Sequence, residues 1–364
     1  MGSGHSFADS TRRYEAWLAQ YCKIDDVGLA AKREKIKAAP FPFLRGTFYR
    51  WPHHFAAVKP RIAQAAKILS IGDTHIENFG TWRDEEGRHA WGVNDFDEAA
   101  ELPWTSDLVR LATSAILAAD DGRDAEETCA LILEGYRKGV EDGPSPFVLE
   151  DAQPLLRDLA AVKGKAARKF WEGLRKDMIA GPVPQKVQVL LLTCLPAMSR
   201  RVRLAKRLAG VGSLGRPRYV ALAEWNGGLV AREAKAAVPS AVHMDEADRR
   251  DRVLDHRRVR ALAFQPRDPE FLLTRKWIVR RLSPEANKIE LDRIEKLYRD
   301  EPDKAGKARA LLVAAMGTEI ANVHLGTAAL HRLLRGELKG LGDHWLAPAA
   351  EAAAERVRRD FATL

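Results

Sequence analysis

Two short stretches place carboxylates and an amide at spacings suited to metal and phosphate chemistry. In Gly72-Asp73-Thr74-His75-Ile76-Glu77-Asn78-Phe79-Gly80, an aspartate and an asparagine stand five residues apart on a tight loop. Asp73 can orient or deprotonate a hydroxyl, and Asn78 can hold Mg²⁺ through its side-chain oxygen. Asp-x4-Asn alone is common by chance. The second stretch is Val93-Asn94-Asp95-Phe96-Asp97-Glu98-Ala99. Acidic residues after an apolar strand suit a hard cation, because Mg²⁺ takes carboxylate oxygens together with those of phosphate. The plainer reading is a solvated acidic turn. Asp95 lies 17 residues after Asn78, and a hairpin between them would bring the two side by side.

A third stretch is Gly210-Val211-Gly212-Ser213-Leu214-Gly215, followed by Arg218-Tyr219-Val220-Ala221-Leu222. GxGxxG is a weak signal, shared by dinucleotide loops and plain β-turns. A dinucleotide loop should follow a strand and open a helix. Here a helix is expected before the loop and a strand, turn and strand after it. That order suits a loop whose backbone N–H groups cover phosphates. In Val230-Ala231-Arg232-Glu233-Ala234-Lys235, both Arg232 and Lys235 are available as the phosphate-binding cation. They lie three apart, so a regular strand sends them to opposite faces. Glu233 would pair with either or face solvent.

These residues need positioning elements. Residues 10–39 read as helix, stopped by Pro40 and Pro42, and residues 53–67 as another. Ala66–Ile71 is a short apolar run ending at Gly72. Residues 81–96 form a hairpin about Asp84-Glu85-Glu86-Gly87. Residues 105–140 are helical, split near Asp120-Asp121-Gly122, and further helices fill 150–209. A β-rich region follows, with a turn at Asn226-Gly227-Gly228 and a strand at Trp277–Leu282. Residues 243–263 are helical within it. From Leu291 onward the pattern is helical, with a loop at Gly336–Gly342.

The first two stretches together resemble the aminoglycoside phosphotransferase and choline kinase branch of the protein kinase-like fold. That branch has a Gly-Asp-x-His-x-x-Asn loop, a strand, an Asp-[Phe/Trp]-[Asp/Glu] segment and a later Asp-Leu pair, here Asp107-Leu108. The resemblance implies ATP and Mg²⁺ as cofactors and an α+β, two-lobe fold. Asp73 would be the catalytic base, and Asn78 and Asp95 metal ligands with Asp97 as helper. Asp107 would buttress the loop and His75 would be structural. Gly210, Gly212, Ser213 and Gly215, with Lys235 or Arg232, would hold the nucleotide.

In such kinases the glycine-rich loop precedes the catalytic loop. Here it follows, as in a circular permutation, which old termini lying close together permit. Met316–Leu330, with Asn322-Val323-His324, resembles the helix that ordinarily runs just before the catalytic loop. The implied layout is a helical lobe over 1–200, a small antiparallel nucleotide-binding lobe over 201–290 and a helical return over 291–364. The chain also resembles a bacterial family catalogued as domain of unknown function 2252. That likeness runs through Phe43-Leu44-Arg45-Gly46, the two acidic stretches, Asp107-Leu108-x-Arg110-Leu111, the glycine-rich loop and Arg232-Glu233-Ala234. Many members have Lys-Glu-Ala at the last of these. Arg45 is a phosphate or substrate contact, or an arginine held in a salt bridge.

Composition narrows the classes. No apolar run reaches the roughly 18–20 residues of a membrane span. The first ten residues lack a basic stretch followed by an apolar one, so no secretory signal is expected. Cys22, Cys129 and Cys194 are scattered, which argues against a disulfide framework or zinc site and for the cytoplasm. A net charge of +9 permits polyanion binding, but the 59 basic residues are dispersed, so nucleic acid has no other support. The expected activity is transfer of the γ-phosphoryl group of ATP to a hydroxyl of a small-molecule acceptor. The alternatives are a nucleotide-binding pseudokinase or scaffold, and transfer of an adenylyl group.

Overall fold

The computed structural model describes residues 5–119, 125–152, 154–162, 164–246, 251, 253–289 and 291–364. Helix makes up 52% and strand 16%, so helices carry most of the core. The strands are β1 (Lys67–Ser70), β2 (Phe79–Arg83), β3 (His89–Val93), β4 (Ala100–Pro103), β5 (Phe147–Val148), β6 (Met178–Ile179), β7 (Arg200–Arg207), β8 (Arg218–Trp225), β9 (Gly228–Ala236), β10 (Leu272–Leu273) and β11 (Trp277–Leu282). They form three sheets, ordered β1-β4, β2-β3-β5 and β10-β11-β9-β8-β7-β6. Every pairing is antiparallel.

Local chemistry sets the turns. Between β2 and β3, the Asp84 carboxylate accepts the N–H of Glu86 (3.0 Å) and of Arg88 (2.8 Å), closing the expected hairpin. Between β8 and β9, Asn226 and Gly227 both have positive φ, 45° and 81°, as a primed two-residue turn requires.

The largest core joins early and late segments. The helices Thr105–Ala118, Ala125–Asp142, Pro302–His324 and Leu346–Phe361 pack around Trp104, Leu108, Tyr136, Met316, Ile320 and Val357. The second and third of these meet backbone to backbone. A Cβ on Gly135 would lie 1.9 Å from the Ala314 carbonyl oxygen, and one on Gly317 would lie 2.1 Å from that of Ile132. Glycine is the residue that permits this approach.

The six-stranded sheet has two unlike faces. Tyr219, Ala221, Ala223, Ala234 and Val279 pack on Val187 and Leu191 of the Gln185–Cys194 helix. On the opposite face, Val220, Leu222, Ala231 and Leu282 are covered by Phe170, Trp171 and Leu174 of the Gly164–Asp177 helix.

Several elements differ from expectation. Residues 10–39 form two helices, Phe7–Ala19 and Asp26–Ile36, because the chain leaves helix to let the Asp25 N–H donate to the Gly215 carbonyl (2.9 Å). Residues 53–67 hold Trp51–Phe55 and Pro60–Ala63, separated ahead of Pro60, which has no N–H to continue a helix. β7 replaces the helix expected before Gly210. Val202 and Leu204 alternate into the core while Arg203, Ala205 and Arg207 take the intervening positions, a strand pattern that apolar periodicity alone misreads. Among the described residues of 243–263, helix spans Leu254–Leu262, after a 3-10 turn at Ala241–His243. The Asp251 carboxylate accepts the Val253 N–H (3.0 Å) ahead of that helix. Residues 336–342 are no loop: the Ala328–Leu341 helix runs through Gly336 and Gly340, held by buried Leu334 and Leu338. The break at Asp120-Asp121-Gly122 lies outside the described residues.

Candidate functional site

A cavity of about 290 Å³ opens between the six-stranded sheet and the helical part. Asp73, His75, Asn78, Asp95, Asp97, Gly210, Gly212, Ser213 and Arg45 all line it. They come from segments more than a hundred residues apart in the chain.

The Asp73 loop leaves β1 at Gly72, whose φ is +85° and where a Cβ would lie 2.0 Å from the Glu98 carbonyl oxygen. Asp107 braces it from below: its carboxylate accepts the N–H of Ile71 (2.7 Å) and of Gly72 (2.9 Å). His324 stands 3.0 Å from the same carboxylate and 2.9 Å from the Tyr136 hydroxyl. A helix from the end of the chain thus supports a loop near its beginning. His75 lines the loop with its Nδ1 accepting the Glu77 N–H (3.1 Å). Burial, reinforced by the charges of Arg45 and Lys288, pushes its pKa well down, so the ring is neutral.

Asp73 is gripped by Arg110, which is fully buried between the rings of Phe48 and Trp51 and donates Nε to Oδ1 at 3.0 Å. The other oxygen lies under the glycine-rich loop, 3.6 Å from where a Gly212 Cβ would stand. Asn78 donates its amide to the backbone carbonyls of Asp73 (3.1 Å) and Asp95 (3.0 Å), tying the two acidic segments together.

Lys235 and Arg232 part company as their spacing predicts. Lys235 faces the cleft and meets Asp95 (2.9 Å) and Asp97 (2.5 Å). Arg232 faces away from it and pairs with Glu270. Burial pushes the Asp95 carboxyl up, but Lys235 and Arg280 outweigh it and hold it well below the usual range. Asp97 moves the other way: burial, and then the Asp95 charge, raise it against Lys235 and Arg216. Asp97 Oδ1 is buried without a hydrogen-bond partner. Two carboxylates, one of them with an orphaned oxygen, and an amide oxygen are the kind of donor a hard cation takes. Among the described residues no group of three or more His, Cys, Asp or Glu forms a metal cage, so such a cation would draw its remaining ligands from substrate and water.

The glycine-rich loop differs from expectation in one respect. The N–H groups of Ser213 (3.2 Å) and Leu214 (3.1 Å) are turned inward to the Gly210 carbonyl instead of toward the cavity. Arg45 reaches Glu77 at 2.6 Å and stacks on Phe41, as a salt-bridged arginine beside the cleft. Glu233 does not face solvent; it is fully buried and binds Arg207, Arg218 and Arg280.

Sequence reasoning missed several residues. Lys32, on the Asp26–Ile36 helix, lines the cavity and donates to the Gly212 carbonyl (3.2 Å). Arg216 bridges Asp97 (3.2 Å) and Glu98 (2.6 Å). Arg207, Arg218 and Arg280 line the roof. Arg110 stood in the Asp107-Leu108-x-Arg110 motif without a role.

The chain matches, over residues 25–167 and 197–364, the family described as uncharacterized protein conserved in bacteria (DUF2252), and it belongs to that family. No curated protein matches it, and no solved structure does. No helix among the described residues is long and apolar enough to cross a membrane.

Proposed function

We propose that this member of the DUF2252 family is an ATP- and Mg²⁺-dependent phosphotransferase with a circularly permuted, kinase-like two-lobe architecture. It moves the γ-phosphoryl group to a hydroxyl of a small-molecule acceptor. One observation carries the reading: Asp73, Asn78 and Asp95 converge on a single cavity beneath a glycine-rich loop, and Lys235 pairs with Asp95 in its wall. The loop joins β7 to β8, and Lys235 follows on β9. The late Pro302–His324 helix ends against the Asp107 brace of the early loop, as a permutation requires.

Each residue has a task that phosphoryl transfer needs. Asp73, with one oxygen fixed by Arg110, orients the acceptor hydroxyl; little base strength is needed where the transition state is loose and the protein's work is positioning and charge neutralisation. Asn78, Asp95 and Asp97 would hold Mg²⁺, which when bound neutralises charge on the β- and γ-phosphates. Lys235, paired with Asp95 and Asp97, is the cation that would meet the phosphates.

The test is thermal stability with and without ATP plus Mg²⁺, for the wild type and Asp95→Asn. A ligand binding only the folded chain adds about 2.7 kcal/mol at a hundredfold excess over Kd. The expected result is a Mg²⁺-dependent rise that Asp95→Asn abolishes. No rise with ATP well above millimolar would overturn the reading. Product mass then separates added phosphoryl from added adenylyl.

A further inference from the structure

The sheet face that roofs the cleft is divided. Its outer part, Val220, Leu222, Ala231 and Leu282, is already covered by Phe170, Trp171 and Leu174. Its inner part is charged. Pairing sets Arg218 opposite Lys235 and Arg280 opposite Glu233, and Lys206 opposite Tyr219 brings Arg207 beside Arg218. Glu233 accepts from Arg218 Nη1 (2.5 Å), Arg280 Nε (3.1 Å) and Arg207 Nη1. Burial would push its carboxyl up, but Arg218, Arg207 and Arg280 together hold it well below the usual range. Asp177 adds a second carboxylate, 3.3 Å from Arg207 Nη2.

Three guanidiniums thus share Glu233, with Asp177 on Arg207, and all three line the cavity. Arg207 Nε is buried with no hydrogen-bond partner. An apolar roof would receive a planar base, whereas a desolvated charged one favours an anion. With the Ser213 and Leu214 N–H groups turned inward, side chains must supply the charge that meets a phosphate there.

We propose that Arg207, Arg218 and Arg280, assembled on Glu233, form a phosphate subsite in the roof of the cleft. Guanidinium forks suit phosphate oxygens in pairs, and Glu233 fixes their orientation before the ligand arrives. The end of the ligand that meets this part of the roof is therefore anionic. The shared chemistry is a polyphosphate chain, whether carried by a nucleotide or free. The subsite deepens the phosphotransfer reading and rests on it for the ligand's identity.

The experiment is calorimetric titration of the full chain with Mg²⁺-ATP, inorganic tripolyphosphate and adenosine. The proteins are the wild type, Arg280→Gln, Arg280→Lys, Arg207→Gln and Asp95→Asn. Arg280 is about a third exposed, so its replacement should spare the sheet, which ligand-free melting checks. Expected are binding of both phosphate ligands and none of adenosine, a loss of tenfold or more in Arg280→Gln and Arg207→Gln, and partial rescue in Arg280→Lys. Tripolyphosphate binding with that arginine dependence, but no ATP binding, would keep the subsite, identify free polyphosphate as the ligand and remove the nucleotide reading. Unchanged affinities in both glutamine variants, with Mg²⁺-ATP binding still lost in Asp95→Asn, would overturn the subsite and leave the phosphotransfer reading intact. Failure of tripolyphosphate to bind the wild type would overturn the subsite as well.

Discussion

Lys32 is 5% exposed, with its ammonium 4.9 Å from the centre of the Tyr14 ring. Burial, then the Arg216 charge, push its pKa down to about 8, against the pull of Glu98 and Asp73. A lysine whose folded pKa lies below its unfolded value of 10.5 is destabilising while charged. The penalty is full below pH 8 and fades as pH rises toward 10.5, since the unfolded chain binds more protons in that window. Lys32→Met should therefore raise stability at pH 7 by on the order of 2–3 kcal/mol, a gain that shrinks between pH 8 and 10.5. The same variant should weaken Mg²⁺-ATP binding, because the Gly212 carbonyl loses its anchor. Melting curves across pH, alongside titration at pH 7, check both. Lys32 was not legible in the sequence: nothing near it marks a site, and 180 residues separate it from Gly212. The choice between Lys235 and Arg232 was half legible. Their spacing predicted opposite faces, but only the pairing with Asp95 and Asp97 shows which one enters the cleft.

At the scale of elements, the contact between the Ala125–Asp142 and Pro302–His324 helices sets the height of the brace under the Asp73 loop. Gly317→Ala would put a methyl 2.1 Å from the Ile132 carbonyl oxygen, so the helices must separate. The cost is about 1–3 kcal/mol of overpacking. Because Tyr136 and His324 ride on these two helices, nucleotide affinity should fall along with the melting temperature; an unchanged affinity would show the brace to be passive. Elements with strong local signals were readable: the β2–β3 hairpin from Asp84 and Gly87, the β8–β9 turn from Asn226-Gly227, and β11 from its apolar run. β7 was not, because its cleft-facing positions are occupied by arginine and small residues. A strand that turns charge inward looks like a surface helix to any reading based on apolar periodicity. The arginine roof was hidden for the same reason, since only strand register brings Arg207, Arg218 and Arg280 to one carboxylate.

At the scale of the whole molecule, the last helix is fastened to the first segments. Asp360 receives Arg50 Nε (2.8 Å) and stands 2.8 Å from His54 Nε2, while Arg50 also reaches Ser10 (2.9 Å). Burial raises the Asp360 carboxyl, but His54 and Arg50 outweigh it and lower it far below 3.8. A depressed carboxylate contributes stability that is full above its unfolded pKa and lost as pH falls through the folded one. Asp360→Ala should cost roughly 3–5 kcal/mol at pH 7, because Arg50 is left buried without its partner. It should also remove the part of the acid sensitivity below pH 4 that Asp360 supplies. Denaturant melts at pH 7 and pH 3 separate the two effects.

The His324–Asp107 contact also bears on how the protein is made. A ribosome releases the Asp73 loop and its helix long before the residue that braces them, and Asp360 follows later still. At roughly 5–20 residues per second, the 250 or so residues between Arg110 and Asp360 take about 10–50 s to emerge. Through that interval Trp104 and Leu108 wait without the late helices that will cover them. The nascent chain therefore presents an apolar surface while its site is unformed, and a message truncated before codon 324 yields a chain whose loop has lost its strut. Full support of the loop waits until His324 and Asp360 have emerged.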